Sequence, residues 1–143
     1  MLIARWWHQR GFGVQSPWAY ELVRDALFDR HRFYAFDTLG GTPADEQLFR
    51  LANWLKPTVM MQEGMTDKGR EYVQAACPTV RILPWDERNI TNEACVVVEQ
   101  IHRQGRTCWQ QVLAHPRTTS SFDLGHRGIA FFDPCRQHQT YFL

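Results

Sequence analysis

Glu99 and His102 are the side chains of this sequence best placed to do chemistry. They follow residues 94–98, an uninterrupted valine-rich run that predicts a buried strand. Ligands of open α/β sheets bind beyond the carboxyl ends of the strands, so a carboxylate and an imidazole there are candidates for acid–base catalysis. The alternative is an ordinary polar strand end with a hydrogen-bonded histidine, and the sequence favours it.

The C-terminal segment contains a second pattern, Cys135-x-x-His138, whose spacing occurs in metal sites. His126 is near enough in sequence to supply a third ligand. A structural zinc site takes four ligands, and the sequence offers no fourth. We therefore predict no metal site and a solvated segment at this end of the chain.

The cysteines give no other sign of a metal or redox site, because no two of them form a C-x-x-C pair. Arg5 interrupts the apolar start of the chain far too early for the core of a signal peptide. We therefore expect a cytoplasmic protein whose cysteines are free, buried and reduced. They are Cys77, Cys95, Cys108 and Cys135.

A chain of 143 residues, 44% of them hydrophobic, is typical of one globular domain. Its 16 basic and 15 acidic residues give a formal net charge of +1, which is no argument for a nucleic-acid or membrane partner.

The N-terminal segment, residues 5–10, interleaves aromatic and basic side chains and could stack on single-stranded nucleic acid. Tryptophans near a terminus more often pack over the core or form a subunit contact. We therefore expect Trp6, Trp7 and Trp18 to be buried. The Trp6/Trp7 segment would contact a second copy of the chain or a protein partner.

Helices and strands alternate along most of the sequence, which predicts an α/β fold. Ser16 and Pro17 begin a helix that runs to about His31, and Thr42 with Asp45 forms a capping box for a second helix. The later predicted elements are a strand at 58–61, a loop at 64–69, a helix at 70–76, strands at 79–83 and 94–98, a helix at 106–115, and a hairpin of 118–123 and 128–132 that residues 141–143 extend. Only residues 85–93 join the second strand to the third. A parallel crossover usually takes a dozen or more residues, so this junction has room for a turn or a single helical turn.

Several stretches of the sequence follow one another in a familiar order. They are residues 13–20 (GVQSPWAY), 48–57 (LFRLANWLKP), 96–102 (VVVEQIH), 122–124 (FDL) and 128–132 (GIAFF). In this order they resemble a bacterial group of class I S-adenosylmethionine-dependent methyltransferases. The resemblance implies a Rossmann-like domain over residues 1–143, with an N-terminal aromatic segment and helix (1–41) and an α/β core (42–143). It also implies a mostly parallel sheet whose last strand inserts antiparallel.

The same resemblance implies that this chain is shortened. The second predicted strand is followed almost directly by a strand that resembles the family's fifth. The segment that would carry two strands and their helices is therefore missing between them. The alternative is that the strand at 79–83 stands in for the family's fourth.

The resemblance also implies a cofactor loop after the first strand, where an acid pairs with the methionine end of the cofactor and glycines let it approach the backbone. Gln62 stands in place of the acid and Lys68 in place of the last glycine. We interpret Gln62, Gly64, Lys68 and Gly69 as a vestigial cofactor site in which Lys68 fills the space of the methionine group. Moving the alignment by one residue would restore Glu63 and Gly69 and lose Gly64.

The second contact implied by the resemblance is an acid at the end of strand two, which would bind the ribose hydroxyls. That end reads Leu83-Pro84-Trp85, and Asp86 and Glu87 lie beyond it. Each lost charge-assisted hydrogen bond costs roughly 1.5–3 kcal/mol, so two losses weaken binding about 100-fold or more. We therefore expect a methyltransferase-derived scaffold that is catalytically inactive, binds no cofactor and acts through protein contacts. The alternative is a methyltransferase or cofactor sensor for an unknown small molecule, with S-adenosylmethionine bound.

Overall fold

The computed structural model describes residues 16–143, which form two compact units. The first consists of residues 16–56 and Thr66–Val80, and the second of Pro57–Met65 and Arg81–Leu143. The first unit is helical and the second contains a mixed β-sheet, so the α/β class predicted from the sequence is confirmed. The helix that follows Thr42 belongs to the helical unit, although the resemblance implies that it is part of the α/β core.

The described part of the helical unit contains four α-helices. They are α1 (Pro17–Leu22), α2 (Tyr34–Leu39), α3 (Pro43–Leu55) and α4 (Asp67–Ala76). Ser16 caps α1 by accepting the Ala19 N–H, as predicted. The predicted extension of this helix to about His31 is wrong. The helix widens into a π-helical turn at Val23–Leu27 and ends there, with the Phe28 N–H bonded to the Val23 carbonyl.

Helix α2 was not predicted, because its six residues carry no capping side chain and no apolar stripe. An aromatic cluster formed by Phe33, Phe36, Phe49 and Tyr72 holds it, with ring centroids 4.9 to 6.4 Å apart. The Tyr72 hydroxyl also accepts the Gly41 N–H at 2.8 Å. These contacts come from α3 and α4, so tertiary packing decides this helix.

Helix α3 follows the sequence prediction closely. Thr42 and Asp45 form the expected capping box, and Leu48, Leu51 and Ala52 lie on its buried side. The helix ends at Lys56, whose left-handed backbone (φ 50°) directs the chain to Pro57.

Helix α4 begins earlier than predicted. Thr66 is its N-cap, and its side chain accepts the Gly69 N–H at 2.9 Å. The predicted loop at 64–69 therefore shrinks to 64–66, and Lys68 and Gly69 lie in the first turn of the helix. A threonine cap explains the difference, since its hydroxyl satisfies a free N–H at the helix start.

The second unit is built on a six-stranded sheet in the order β2-β1-β3-β5-β4-β6. The strands are β1 (Val59–Glu63), β2 (Arg81–Pro84), β3 (Cys95–Glu99), β4 (Ser120–Asp123), β5 (Arg127–Phe131) and β6 (Gln139–Phe142). β1 pairs in parallel with β2 and β3, and β4 in parallel with β6, whereas β5 runs antiparallel to β3 and β4. The sheet is therefore mostly parallel with one antiparallel strand, and the predicted C-terminal hairpin is β4–β5.

β2 and β3 lie on opposite sides of β1 in the sheet, and only a short connection joins them. It contains a single 3₁₀ turn, Glu87–Asn89, in which Asp86 caps the Arg88 N–H. This confirms the prediction of at most one helical turn at 85–93.

Helix α5 (Arg106–Ala114) packs on one face of this sheet. Trp109 and Val112 contact Val96, Val98 and Ala130 in one apolar cluster. Leu113 lies on the solvent side of the helix and is exposed.

Other sequence predictions are met in part. Trp18 is partly buried, whereas Trp6 and Trp7 lie outside the described residues. None of the helices between residues 16 and 143 has the length and apolarity to cross a membrane.

All four cysteines are free, as predicted, but they are not all buried. Cys77 and Cys95 are buried, Cys108 is half-buried, and Cys135 is exposed in the surface connection between β5 and β6. Burial raises the pKa of Cys95 to about 12. Burial and, secondarily, the charge of Glu63 raise the pKa of Cys108 to about 11.

These differences predict the order of alkylation at pH 8. The thiolate is the nucleophile, so a buried thiol with a raised pKa reacts slowly. We expect iodoacetamide to label Cys135 first and Cys95 only after unfolding in urea, as read by peptide mass spectrometry. Cys135→Ser should remove the fast phase, and rapid labelling of Cys95 in the folded protein would contradict the prediction.

Candidate functional site

A groove of about 430 Å³ opens at the carboxyl ends of β1 and β3. We call it the switch-point groove, because the chain passes from β1 to β2 on one side and later returns to β3 on the other side of β1. Such a reversal of strand order leaves a crevice between neighbouring strand ends, where ligands of open α/β sheets bind. The groove is lined by Glu63, Gly64, Glu99, Gln100, Arg103, Gln104 and Gly105.

The β1 side of the groove ends in a tight turn at Gly64. Its backbone is left-handed (φ 78°), a conformation that favours glycine. A Cβ atom on Gly64 would lie 3.3 Å from the Cβ atom of Glu99, so the β1 turn packs closely against the end of β3. Glu63 precedes this turn and is exposed at the rim.

The β3 side is shaped by a turn that folds back under the strand. Gln100 adopts a left-handed backbone (φ 54°), and its carbonyl accepts the N–H groups of Arg103 and Gly105, each at 2.9 Å. A Cβ atom on Gly105 would overlap the Glu99 carbonyl oxygen and lie 3.0 Å from Val98 Cγ1. Glycine is therefore required here to bring the start of α5 against the end of β3.

Glu99 lines the groove and is neutralised by Arg127. The two residues face each other in the β3–β5 register, and the guanidinium holds the carboxylate in a two-point ion pair. Arg127 Nε contacts Oε1, and Nη2 donates to Oε2 at 2.8 Å. The Arg127 side chain is only 1% exposed, and that of Glu99 17%. Bidentate pairing of this kind fixes the orientation of a carboxylate.

His102 and Glu99 are thus placed differently. His102 is exposed in the turn after β3, and the residues that line the groove do not include it. Glu99 lines the groove but is engaged by Arg127. Catalytic roles for both residues stay predictions.

Sequence reasoning missed five residues of this site: Gln100, Arg103, Gln104, Gly105 and Arg127. Gly105 had a signal, because a glycine directly before a helical pattern can mark an N-cap. Arg127 had none, since its partner Glu99 is 28 residues away and only the strand register brings them together.

The loop after β1 is closed by its own residues. The Gln62 side-chain oxygen accepts the Met65 N–H at 3.1 Å. The side chain in the position of the family's acid therefore stabilises the turn around Gly64.

Lys68 and Gly69 have partners within the helical unit. Lys68 Nζ donates to the Leu39 carbonyl and pairs with Glu71, each at 3.0 Å. The Gly69 N–H donates to Thr66. The hypothesis that Lys68 fills a cofactor cleft stays a prediction, and these contacts give its ammonium group a structural role.

The end of β2 carries no acid, because Pro84 is its last residue. The first carboxylate beyond it, Asp86, pairs with the Arg88 guanidinium at 2.8 Å. The Arg88 side chain and backbone N–H lower the pKa of Asp86 to about 2. The carboxylate is thus ionised and already engaged.

The C-terminal histidine and cysteine do not come together as a metal cluster. Cys135 and His138 are both exposed, and the Cys135 N–H donates to Asp133. In the part of the chain from residue 16 onward, no three His, Cys, Asp or Glu side chains are grouped so that they could hold a metal ion.

The chain was compared with protein-family models, curated proteins and solved structures. No protein-family model, no curated protein and no solved structure matches the chain.

Proposed function

We propose that this chain is a cytoplasmic scaffold derived from a methyltransferase, that it does not transfer methyl groups, and that it acts through protein contacts. The observation that carries the proposal is the state of the two strand ends where the resemblance implies cofactor contacts. Gln62, in the acid position of β1, is neutral and accepts the Met65 N–H. Beyond β2, Asp86 is engaged by Arg88. In the alignment through Gly64, neither end offers an uncommitted carboxylate at the implied position.

The start of α4 supports the same proposal. A helix that follows the first strand can offer free backbone N–H groups to a ligand. Here the Thr66 hydroxyl already accepts the Gly69 N–H, and Asp67 adds a negative charge in the first turn. The helix start is therefore stabilised by the protein itself.

Descent from a methyltransferase is supported by the sheet. The resemblance implies a last strand that inserts antiparallel into a parallel sheet. β5 lies in this way between β3 and β4, and both of its pairings are antiparallel. It is not the last strand, however, because β6 follows it and pairs in parallel with β4. The short crossover at Glu87–Asn89 agrees with the implied loss of the middle segment.

A role in protein contacts is supported by exposed apolar side chains. Among the described residues, the large exposed ones are Tyr34, which is 94% exposed, Leu113 and Phe142. Aromatic side chains are enriched in protein interfaces. The Trp6/Trp7 segment stays the proposed principal contact, with a second copy or a protein partner.

The second candidate is a methyltransferase or cofactor sensor that binds S-adenosylmethionine. One observation favours it: the groove lies at the strand ends where α/β proteins bind ligands, and its volume falls within the usual range for small molecules.

Calorimetric titration with S-adenosylmethionine and S-adenosylhomocysteine distinguishes the two candidates. We expect no saturable heat at millimolar ligand, because both implied acid contacts are missing. Micromolar binding of either compound would contradict the scaffold proposal.

A matched variant shows whether the β1 loop is responsible. Gln62→Glu with Lys68→Gly restores the implied acid and glycine, and we expect it to bind more tightly than either single variant. If the double variant gains no affinity, the missing middle segment abolished the site.

A further inference from the structure

We propose that a second pocket of the sheet-containing unit binds a neutral cyclic polyol such as a monosaccharide. The pocket has a volume of about 330 Å³ and lies where β4 and β6 begin. Four hydroxyl side chains line it, and we call it the hydroxyl pocket: Thr118, Thr119, Ser121 and Thr140. Because β4 and β6 run in the same direction as β1 and β3, it lies at the end of the sheet opposite the switch-point groove.

Strand geometry brings the four hydroxyl groups together. Thr119 and Ser121 are two residues apart at the start of β4, so their side chains lie on the same face of the sheet. Ser121 is paired with Thr140 in the β4–β6 register. Thr118 comes from the turn after α5, in which its N–H donates to the His115 carbonyl at 3.1 Å. The first three of these residues are buried, so their hydroxyl groups are held in fixed positions.

Two of the hydroxyl groups can only accept a hydrogen bond from a ligand. Thr118 Oγ1 donates to the Val112 carbonyl at 2.6 Å, and Thr119 Oγ1 donates to the Phe131 carbonyl at 3.1 Å. A hydroxyl group has one hydrogen and two lone pairs, so each oxygen keeps only its capacity to accept. A ligand that fits this side of the pocket must therefore donate.

The other two hydroxyl groups can also donate. Ser121 Oγ and Thr140 Oγ1 share one hydrogen bond of 2.8 Å, so one hydroxyl hydrogen of the pair remains for a ligand. The imidazole of His138 and the carboxamide of Gln139 line the same side of the pocket and contain both donors and acceptors. A matching ligand must therefore accept as well as donate.

The lining of the hydroxyl pocket also selects against charge. Among the described residues that line it, none is Asp, Glu, Lys or Arg. A charged ligand would lose hydration there without gaining a permanent opposite charge. Leu113 and Pro116 are exposed at the pocket and add apolar surface.

A monosaccharide meets these three requirements together. Each of its hydroxyl groups donates and accepts, it carries no charge, and its ring presents apolar C–H groups that can pack on Leu113 and Pro116. The pocket volume is at the lower end of the usual range of roughly 300–1,000 Å³, which suits a ligand with a single ring.

The probes are glucose, galactose, mannose and myo-inositol, titrated into the full chain. Three comparators change one property each: cyclohexanol keeps a ring with one hydroxyl group, glucosamine adds a positive charge, and glucose 6-phosphate adds negative charge. ¹⁵N–¹H correlation spectra locate the binding, and calorimetry measures the affinity. The inference is independent of the proposed scaffold function, because titration with S-adenosylmethionine tests the other end of the sheet.

We expect at least one of the four polyols to give saturable shifts at residues 118–121 and 138–140. Its affinity should exceed that of cyclohexanol by about tenfold or more, and neither charged comparator should bind more tightly than the best neutral polyol. Absence of saturable shifts in the pocket for all four polyols would overturn the inference. Equal binding of cyclohexanol, or tighter binding of a charged comparator, would overturn it too.

Removal of the hydroxyl pair is the sharper test. Ser121→Ala with Thr140→Val removes both partners of one hydrogen bond, a change that leaves no partner unsatisfied and should preserve the fold. We expect it to lower polyol affinity by about tenfold or more. The matched control is Ser120→Ala, whose hydroxyl donates to the Gln137 carbonyl and does not line the pocket. Wild-type affinity in the double variant, or an equal loss in the control, would contradict the inference.

A second variant tests the pocket without altering a buried residue. His138→Ala with Gln139→Ala changes two exposed side chains, so it should fold normally. We expect a loss of polyol affinity of about threefold or more, because ligand hydrogen bonds are removed. His102→Ala with Gln104→Ala makes the same changes at exposed positions outside the pocket and should have no effect. Equal affinities of the two variants would overturn the inference.

Discussion

Glu99→Gln is expected to lower the free energy of unfolding by about 3–5 kcal/mol, because it leaves the buried Arg127 guanidinium without the carboxylate that neutralises it. Arg127 is 1% exposed, so water cannot replace the lost charge without opening the sheet. Urea denaturation followed by circular dichroism measures the change through the midpoint and slope.

A double replacement distinguishes the net contribution of this ion pair to the free energy of unfolding from the destabilisation caused by removing one partner alone. Glu99→Met with Arg127→Met removes both charges, and we expect it to be much closer to the wild-type stability than Glu99→Gln, since well-packed apolar residues often replace a buried pair without loss. An exposed pair gives the matched control: Asp25→Asn, which removes the partner of Arg24, should leave the midpoint unchanged. A loss at Glu99→Gln no larger than at Asp25→Asn would contradict the buried-pair account.

Gly105→Ala is expected to destabilise the protein by more than about 3 kcal/mol. The added methyl group would overlap the Glu99 carbonyl oxygen and crowd Val98 Cγ1, and both atoms belong to the central strand β3. Backbone cannot move aside as a flexible side chain can, so the β3–α5 turn must open. Denaturant unfolding and the dispersion of the ¹⁵N–¹H spectrum check this expectation.

Gly40 and Gly64 provide a graded comparison for Gly105. Gly40→Ala meets no neighbouring atom and carries only the cost of a left-handed backbone (φ 65°), about 1 kcal/mol. Gly64→Ala adds a tight contact of 3.3 Å with Glu99 to a similar backbone cost, and we expect it to lie between the other two. A loss at Gly105→Ala equal to that at Gly40→Ala would show that the turn adapts easily.

These two predictions concern the same part of the molecule. Gly105 and Arg127 both act on Glu99, one through its backbone and one through its carboxylate. The shape of the groove is therefore maintained by strong internal contacts, whereas the positions implied for cofactor binding are occupied by Gln62 and Pro84.

Local signals in the sequence predicted the elements that carry their own caps and patterns. The N-cap at Ser16, the capping box at Thr42, the valine-rich strand β3 and the β4–β5 hairpin all lie within a few residues of their predicted positions. Such signals depend on neighbours in sequence, so they can be interpreted without the fold.

Elements that depend on distant partners were misjudged. Helix α2 exists because Phe36 packs against Phe49 and Tyr72, which come from two later helices. The early start of α4 was missed for a different reason, because it depends on a single local threonine cap. The extension of the hairpin predicted at 141–143 is confirmed by β6, which pairs with β4 and begins two residues earlier.

The sequence by itself determined the α/β class, the short crossover and the absence of acids at the implied cofactor positions, because these follow from residue identity and chain length. The tertiary structure alone decided the site. It joined Glu99 to Arg127 through the register of antiparallel strands, and it brought the turn at Gly64 against the end of β3. It also placed Glu63 and Arg103 around one groove. The distance along the sequence between such residues does not predict these contacts, since strand order and register are set by how the whole sheet buries its apolar faces.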